Sequence, residues 1–144
     1  MMDEYPNTRE ATFAEWFDYI DVAALVHVNA VKKAGELVKV SLREIYKGTV
    51  PEKFKFGVSM SWMPDEWFVK NEVSVVFLKR LNDQSLNAFG YNARIKIEGE
   101  VAQCFDCPET FWQPELLLDY NEEFRKAKVD WNMLASVLRE GRCD

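Results

Sequence analysis

The sequence predicts a mainly β fold, a small closed barrel of five to six antiparallel strands with one helix before it and one after it. Three observations lead there. Runs of alternating apolar and polar residues follow one another through the first two thirds of the chain, which is the period of half-buried strands. Short turns rich in Gly, Pro, Asn and Asp join these runs, so the strand–helix–strand rhythm of a parallel sheet is missing. One run also falls out of phase in its middle, as a strand does when a bulge bends it around a barrel.

The elements follow in order. Thr12-Phe13-Ala14-Glu15 has the form of a capping box and opens a short helix over 13–20, whose Phe13, Trp16, Phe17 and Ile20 fall on one face. The nearly continuous apolar run "VAALVHVNAV", 22–31, reads as a first long strand covered on both faces. A polar turn containing Gly35 then leads into a second strand, making an antiparallel hairpin. In that strand Val38, Val40 and Leu42 face inward and Lys39, Ser41 and Arg43 outward. Continuing the count turns Glu44 inward and Ile45 outward, so a bulge is expected near Arg43-Glu44.

After the turn Lys47-Gly48-Thr49-Val50-Pro51, a third strand alternates through Phe54, Phe56, Val58 and Met60. The segment 61–72 interrupts the strands with Pro64 and reads as a loop or a single helical turn. Val73 to Leu81 is apolar enough to be a central strand, Asn82 to Ser85 a turn, and Tyr91 to Ile97 a returning strand with Tyr91, Ala93, Ile95 and Ile97 on one face. Gly99 permits a sixth short strand near 100–105. The last third reads as helical. Asp130 caps a helix carrying Trp131, Leu134, Ala135 and Leu138 on one face and stopping at Gly141, and 114–128 shows a weaker helical pattern. The expected organisation is a single domain over 1–144, with the barrel at about 12–106 and a helical extension at about 107–142.

Composition narrows the function. With 144 residues, 48% of them hydrophobic and 14% aromatic, the chain can bury one core without disulfide or metal support. The net charge of -6 is spread evenly, with 9 Lys/Arg against 12 Asp/Glu in residues 1–72 and the same in 73–144. Neither half supplies the cationic surface that nucleic-acid binding draws its affinity from, so a nucleic-acid partner is disfavoured. The first 21 residues set six acidic side chains, Asp18 and Asp21 among them, against Arg9 alone. They serve either plain solubility or the steering of a basic protein partner. No apolar run reaches the roughly 20 residues that span a bilayer, so no membrane role is expected. The start Met1-Met2-Asp3-Glu4-Tyr5 lacks the regions of a signal peptide. As written the chain reads as cytoplasmic, and removal of a leader would make it secreted or periplasmic instead.

No catalytic constellation emerges, and no catalytic residue, metal ligand or cofactor is expected. His27 is the only histidine and lies within an apolar run, where a strand histidine with one hydrogen bond is commoner than a zinc ligand. Cys104-Phe105-Asp106-Cys107 is a lone C-x-x-C without the strand–helix setting of a redox motif. Plain thiols are favoured, with a Cys104–Cys107 or Cys107–Cys143 disulfide open to an exported chain. The glycines form no phosphate loop. Carboxylate pairs such as Asp65-Glu66 and Glu122-Glu123 read as solvated surface.

"IDVAALVHVNAV", "VKVSLREIYKGTVPEKFKF" and "NEVSVVFLKRL" together resemble the tissue-inhibitor-of-metalloproteinase and netrin-like family of OB-fold barrels, over roughly residues 11–81. The likeness lies in the leading strand, in the strand ending in the Lys47-Gly48 turn and in the later apolar strand at Val73–Leu78. It implies an OB-like barrel. Inhibition by the family's N-terminal cysteine is not implied, because no cysteine precedes Cys104 and Ser61-Trp62-Met63-Pro64 stands where the family has Cys-Gly.

The remaining signal is aromatic. Trp62, Met63, Trp67 and Phe68 crowd one connection and Phe111-Trp112 another. Such clusters either plug a barrel end or form a binding tip, since Trp anchors are frequent interface hot spots and Met adapts in shape. The expected function is a non-catalytic protein-binding module, an inhibitor or neutraliser of a basic target. Its candidate contacts are Trp62, Met63, Trp67, Phe68, Asp18 and Asp21. The alternative is a barrel binding a small ligand in an apolar cavity lined by Phe54, Phe56, Val75 and Phe77.

Overall fold

The computed structural model of the chain describes residues 12–32, 36–59, 68–89, 93–105 and 107–140. In chain order they form helix α1 (Phe13–Tyr19), strands β1 (Val22–Lys32), β2 (Leu37–Lys47), β3 (Lys53–Ser59), β4 (Val73–Arg80), β5 (Leu86–Phe89), β6 (Arg94–Glu98) and β7 (Val101–Cys104), then strands β8 (Leu117–Asn121) and β9 (Lys126–Asp130) and helix α2 (Trp131–Glu140). The strands are ordered β1-β2-β3-β5-β4-β6-β7-β9-β8, and a further pairing of β1 with β4 closes the first five into a barrel. The fold is thus mainly β, a small closed barrel flanked by two helices, as its sequence period requires.

The described pairings are antiparallel except β3 with β5, which run parallel over Gly57–Ser59 and Asn87–Phe89. β4 lies at the branch. It pairs with β1 from Val73 to Leu78, with β6 from Val73 to Val76 and with β5 at Lys79 and Arg80. Beyond β6 the sheet leaves the barrel through β7, β9 and β8.

The bulge expected near Arg43 is present. Leu25 pairs with Glu44 and Val26 with Leu42, leaving Arg43 as the extra residue. Two more register shifts leave Tyr46 and Asn29 extra in the same hairpin, which is how a long two-stranded ribbon acquires the curvature of a barrel wall. The shift turns Ile45 toward buried Ala24, yet Ile45 stays 39% exposed. Glu44 points instead to α2, where Arg139 Nε and Nη2 donate to its carboxylate at 2.8 and 3.0 Å.

α1 forms for the reason its sequence states. Glu15 N–H donates to the Thr12 hydroxyl at 3.2 Å and Thr12 N–H to the Glu15 carboxylate at 3.0 Å. The apolar face of the helix enters one end of the barrel, where Phe13 stacks on Trp112 at 5.4 Å and meets Phe77 and Phe111 edge-on at 6.1 and 5.8 Å. The pair Phe111-Trp112 is therefore a plug, 1% and 3% exposed, and each such ring stabilises the fold by about 2 kcal/mol through burial. The open carbonyls at the end of α1 are taken by two lysines. Lys47 Nζ donates to Phe17 O at 2.7 Å and to Asp18 O at 3.1 Å, and Lys79 Nζ to Tyr19 O at 3.1 Å, at the negative end of the helix dipole. Gly48 follows with φ +77° and lies against the Asp21 carbonyl, where a Cβ would collide. The Lys-Gly turn is thus the seat of the helix.

The sequence expectation fails in the last third. Among the described residues, 107–140 are not a helical extension: single 3₁₀ turns at Glu109–Phe111 and Pro114–Leu116 precede the β8–β9 hairpin, and α2 is the α-helix there. The physical reason is visible in β9. Ala127 and Val129 are buried while Lys126 and Lys128 are exposed, a period of two that pairs with β7 from Val101 to Cys104. β5 is a further strand that the sequence reading did not separate from its turn, because four residues carry little period. The expected C-terminal helix does form, capped by Asp130 Oδ1 accepting from Met133 N–H at 2.9 Å.

Candidate functional site

The connection between β3 and β4 carries Trp62, Met63 and Trp67, which lie outside the described residues. Its stem, Phe68–Glu72, is described and is firmly built. Phe68 is 5% exposed and meets the core ring of Phe56 edge-on at 5.2 Å. Asn71 turns the chain with φ +74°, a conformation Asn tolerates better than other non-glycine residues. Asn71 N–H donates to Val28 O at 2.8 Å and Val28 N–H to Glu72 O at 2.9 Å.

At the centre of the stem is a buried ion pair. The side chains of Glu72 and Arg94 are 1% and 3% exposed. Arg94 Nε and Nη2 donate to the two carboxylate oxygens at 2.8 and 2.7 Å. Val69 N–H donates to the same carboxylate at 2.8 Å, and so does the buried Ser74 hydroxyl. Four donors thus converge on one carboxylate, the condition under which a buried charge is tolerated.

Arg94 lies between the rings of Phe68 and Phe105, at 5.5 and 5.3 Å. Lys126 sits over Phe105 at 5.4 Å and over Phe124 at 5.8 Å. Aromatic rings and cations therefore alternate from buried Phe68 to Phe124, which is 60% exposed. Each such contact adds about 0.5–2 kcal/mol depending on its desolvation. The ladder links the stem to the β8–β9 hairpin. Sequence reasoning missed it because Arg94 stands at an outward position of its strand, and only the β4–β6 register, with Arg94 opposite Val76, puts it on the face that carries Ser74 and Glu72, where its long side chain reaches the carboxylate.

The acidic candidates lie elsewhere. Asp21 N–H donates to Leu78 O at 2.9 Å, its carboxylate accepts from Arg80 N–H at 2.6 Å, and Lys79 Nζ is 3.6 Å away. Its charge is already engaged in holding α1 to β4. Asp18 is exposed on α1. Both belong to the Leu78 end of β4, whereas Phe68 belongs to the Glu72 end. The separation runs the length of β1 from Val22 to Val28, about 20 Å at strand spacing. Of the candidate contacts, the three described ones thus lie apart, Asp18 and Asp21 at one end of β1 and Phe68 at the other.

The remaining expectations divide. Phe56, Val75 and Phe77 are 0–1% exposed within the core, and Phe54 is half-buried at the border of two open grooves of about 440 and 340 Å³. His27 Nδ1 lies 2.9 Å from Asn29 Oδ1. Cys104 and Cys107 are buried, and Cys143 is outside the described residues. Among the described residues no helix is long and apolar enough to cross a membrane. Compared with known proteins, the chain matches no family model and no curated protein.

Proposed function

We propose that this chain is a non-catalytic, inhibitor-like module on an OB-like barrel, and that it grips a protein partner through the connection carrying Trp62, Met63 and Trp67. The observation that supports this is the stem: Phe68 is seated in the core, and the turn Val69–Glu72 is pinned by a carboxylate that is itself buried against Arg94. A loop held on a fixed stem loses less conformational entropy when a partner grips it, and that loss is a principal cost of association. Two Trp beside a Met provide the kind of side chains that anchor interfaces. The resemblance to tissue-inhibitor and netrin-like barrels supports the same class of use. Asp18, at the far end of β4, contributes to steering a basic partner rather than to the grip.

The test compares wild type with Trp62→Ala/Trp67→Ala as immobilised baits in host extract, at low and high salt, after circular dichroism has shown both to be folded. A protein retained by wild type and lost from the variant is expected. Identical captured sets, or none, would sink the reading.

A further inference from the structure

The outer face of the β1–β3 wall carries an array of like charges. β2 and β3 pair with Lys39 directly opposite Lys55 and with Ser41 opposite Lys53. Like charges facing each other across an antiparallel pair are destabilising, with Cβ atoms only about 5 Å apart. On the β1 side the neighbours are neutral: Ala30 pairs with Lys39 and His27 with Ser41. Asn29 Nδ2 donates to Ser41 Oγ at 2.7 Å. None of the three exposed lysines forms an ion pair among the described residues, in a chain whose net charge is -6. Lysines are common guards of sheet edges, and β3 has an open edge from Lys53 to Phe56 because it pairs with β5 only over Gly57–Ser59, but Lys39 on β2 is paired on both sides and guards no edge.

The same lysines border an open groove of about 440 Å³, lined also by Asn29 and Ala30, while Val40 and Phe54 beside them turn their side chains to the inner face. The groove joins a cationic rim to the apolar surface of Ala30 and the lysine methylenes. Backbone bonds Val58 N–H to Glu36 O and Leu42 N–H to Glu52 O place the two exposed glutamates at either end of the paired stretch Leu37–Ser41. Five strand residues span about 17 Å. A polyanionic nucleic-acid strand would run from the lysines into these glutamates, and would be repelled by the chain's net charge. A short peptide would not.

We infer that this groove binds an acidic peptide segment of about four or five residues, carboxylates on the lysine rim and one apolar side chain against Ala30 and the lysine methylenes. This site shares no residue with the stem of the aromatic connection and does not depend on it.

The probe is a fluorescein-labelled peptide of four glutamates around one leucine, titrated by fluorescence polarisation against wild type and Lys39→Glu/Lys53→Glu/Lys55→Glu. Saturable binding is expected that weakens at least tenfold in the variant, and likewise between 50 and 300 mM salt. Lys39→Glu alone should weaken binding while its Tm equals or exceeds that of wild type, because it faces Lys55 with an opposite charge. No saturable binding, or equal binding by all three proteins, would overturn the inference. So would tighter lysine-dependent binding of an oligothymidylate, or self-association in sedimentation that the triple variant abolishes, since each hands the groove to another occupant.

Discussion

Replacing Glu72 by Gln removes the carboxylate charge that the Arg94 guanidinium, 3% exposed, meets through two hydrogen bonds. Removing one member of such a pair costs about 3–5 kcal/mol, a large part of the roughly 5–15 kcal/mol by which a domain is stable. At about 3 °C per kcal/mol for a chain of this size, Tm should fall by about 10–15 °C. Arg94→Met should cost a similar amount, because it strands the carboxylate. The double variant Glu72→Leu/Arg94→Met should recover much of the loss. With no charge left to desolvate, the residual penalty is about 1–3 kcal/mol for Val69 N–H, whose acceptor is gone. Urea unfolding at pH 7 of wild type, Glu72→Leu, Arg94→Met and the double variant gives the coupling energy of the pair, expected at about 3–9 kcal/mol from these losses with an unchanged slope. Additive single effects, or single losses below about 1 kcal/mol, would refute the argument that four donors on a buried carboxylate fix the stem.

Further outcomes follow from other contacts. Gly48→Ala should cost about 2 kcal/mol or more in urea unfolding, since φ +77° is strained for alanine and its Cβ would meet the Asp21 carbonyl. Thr12→Ala should cost about 1 kcal/mol in the same assay, by removing the hydroxyl that accepts from Glu15 N–H. The Arg139 guanidinium holds the Glu44 carboxyl below its ordinary value of 4.5, with the Tyr46 hydroxyl assisting. A carboxyl lowered by folding stabilises the fold above its unfolded pKa and loses that contribution as pH falls through its folded one. The Tm difference between wild type and Arg139→Ala should accordingly be present at pH 7, shrink in high salt and close as pH drops below 4.5. Cys104 and Cys107, both 0% exposed, should react with a thiol reagent at the rate the protein opens, and rapidly in denaturant, as mass spectrometry of labelled peptides would read.

What the sequence made legible was whatever rests on local period and local hydrogen bonds. The Thr12–Glu15 box, the Asp130 cap and the extra residue at Arg43 each follow from a few neighbouring residues, and each is present. What stayed hidden depended on register between distant strands. Arg94 is indistinguishable from a solvated outward arginine until β6 lies beside β4. Lys39 and Lys55 look like ordinary surface lysines until the hairpin sets them face to face. The β8–β9 hairpin was obscured for another reason: in β8 only Leu117 and Tyr120 are partly buried, so half of the ribbon lacks the alternation that marks a strand. Asp18 and Asp21 were grouped with Phe68 by composition, and the run of β1 separates them.

The branching of the sheet at β4 has a consequence for how the molecule comes apart. β4 is a wall of the barrel and also the first strand of the sheet that continues through β6, β7, β9 and β8. Phe111 and Trp112, carried by the later part of the chain, stopper the barrel against Phe13, and Arg139 reaches back to Glu44. Cutting the chain after β7 would therefore yield no smaller autonomous barrel, but one that has lost its stopper. Melting should be a single cooperative event in which hydrogen exchange slows for β1, β4 and β9 together.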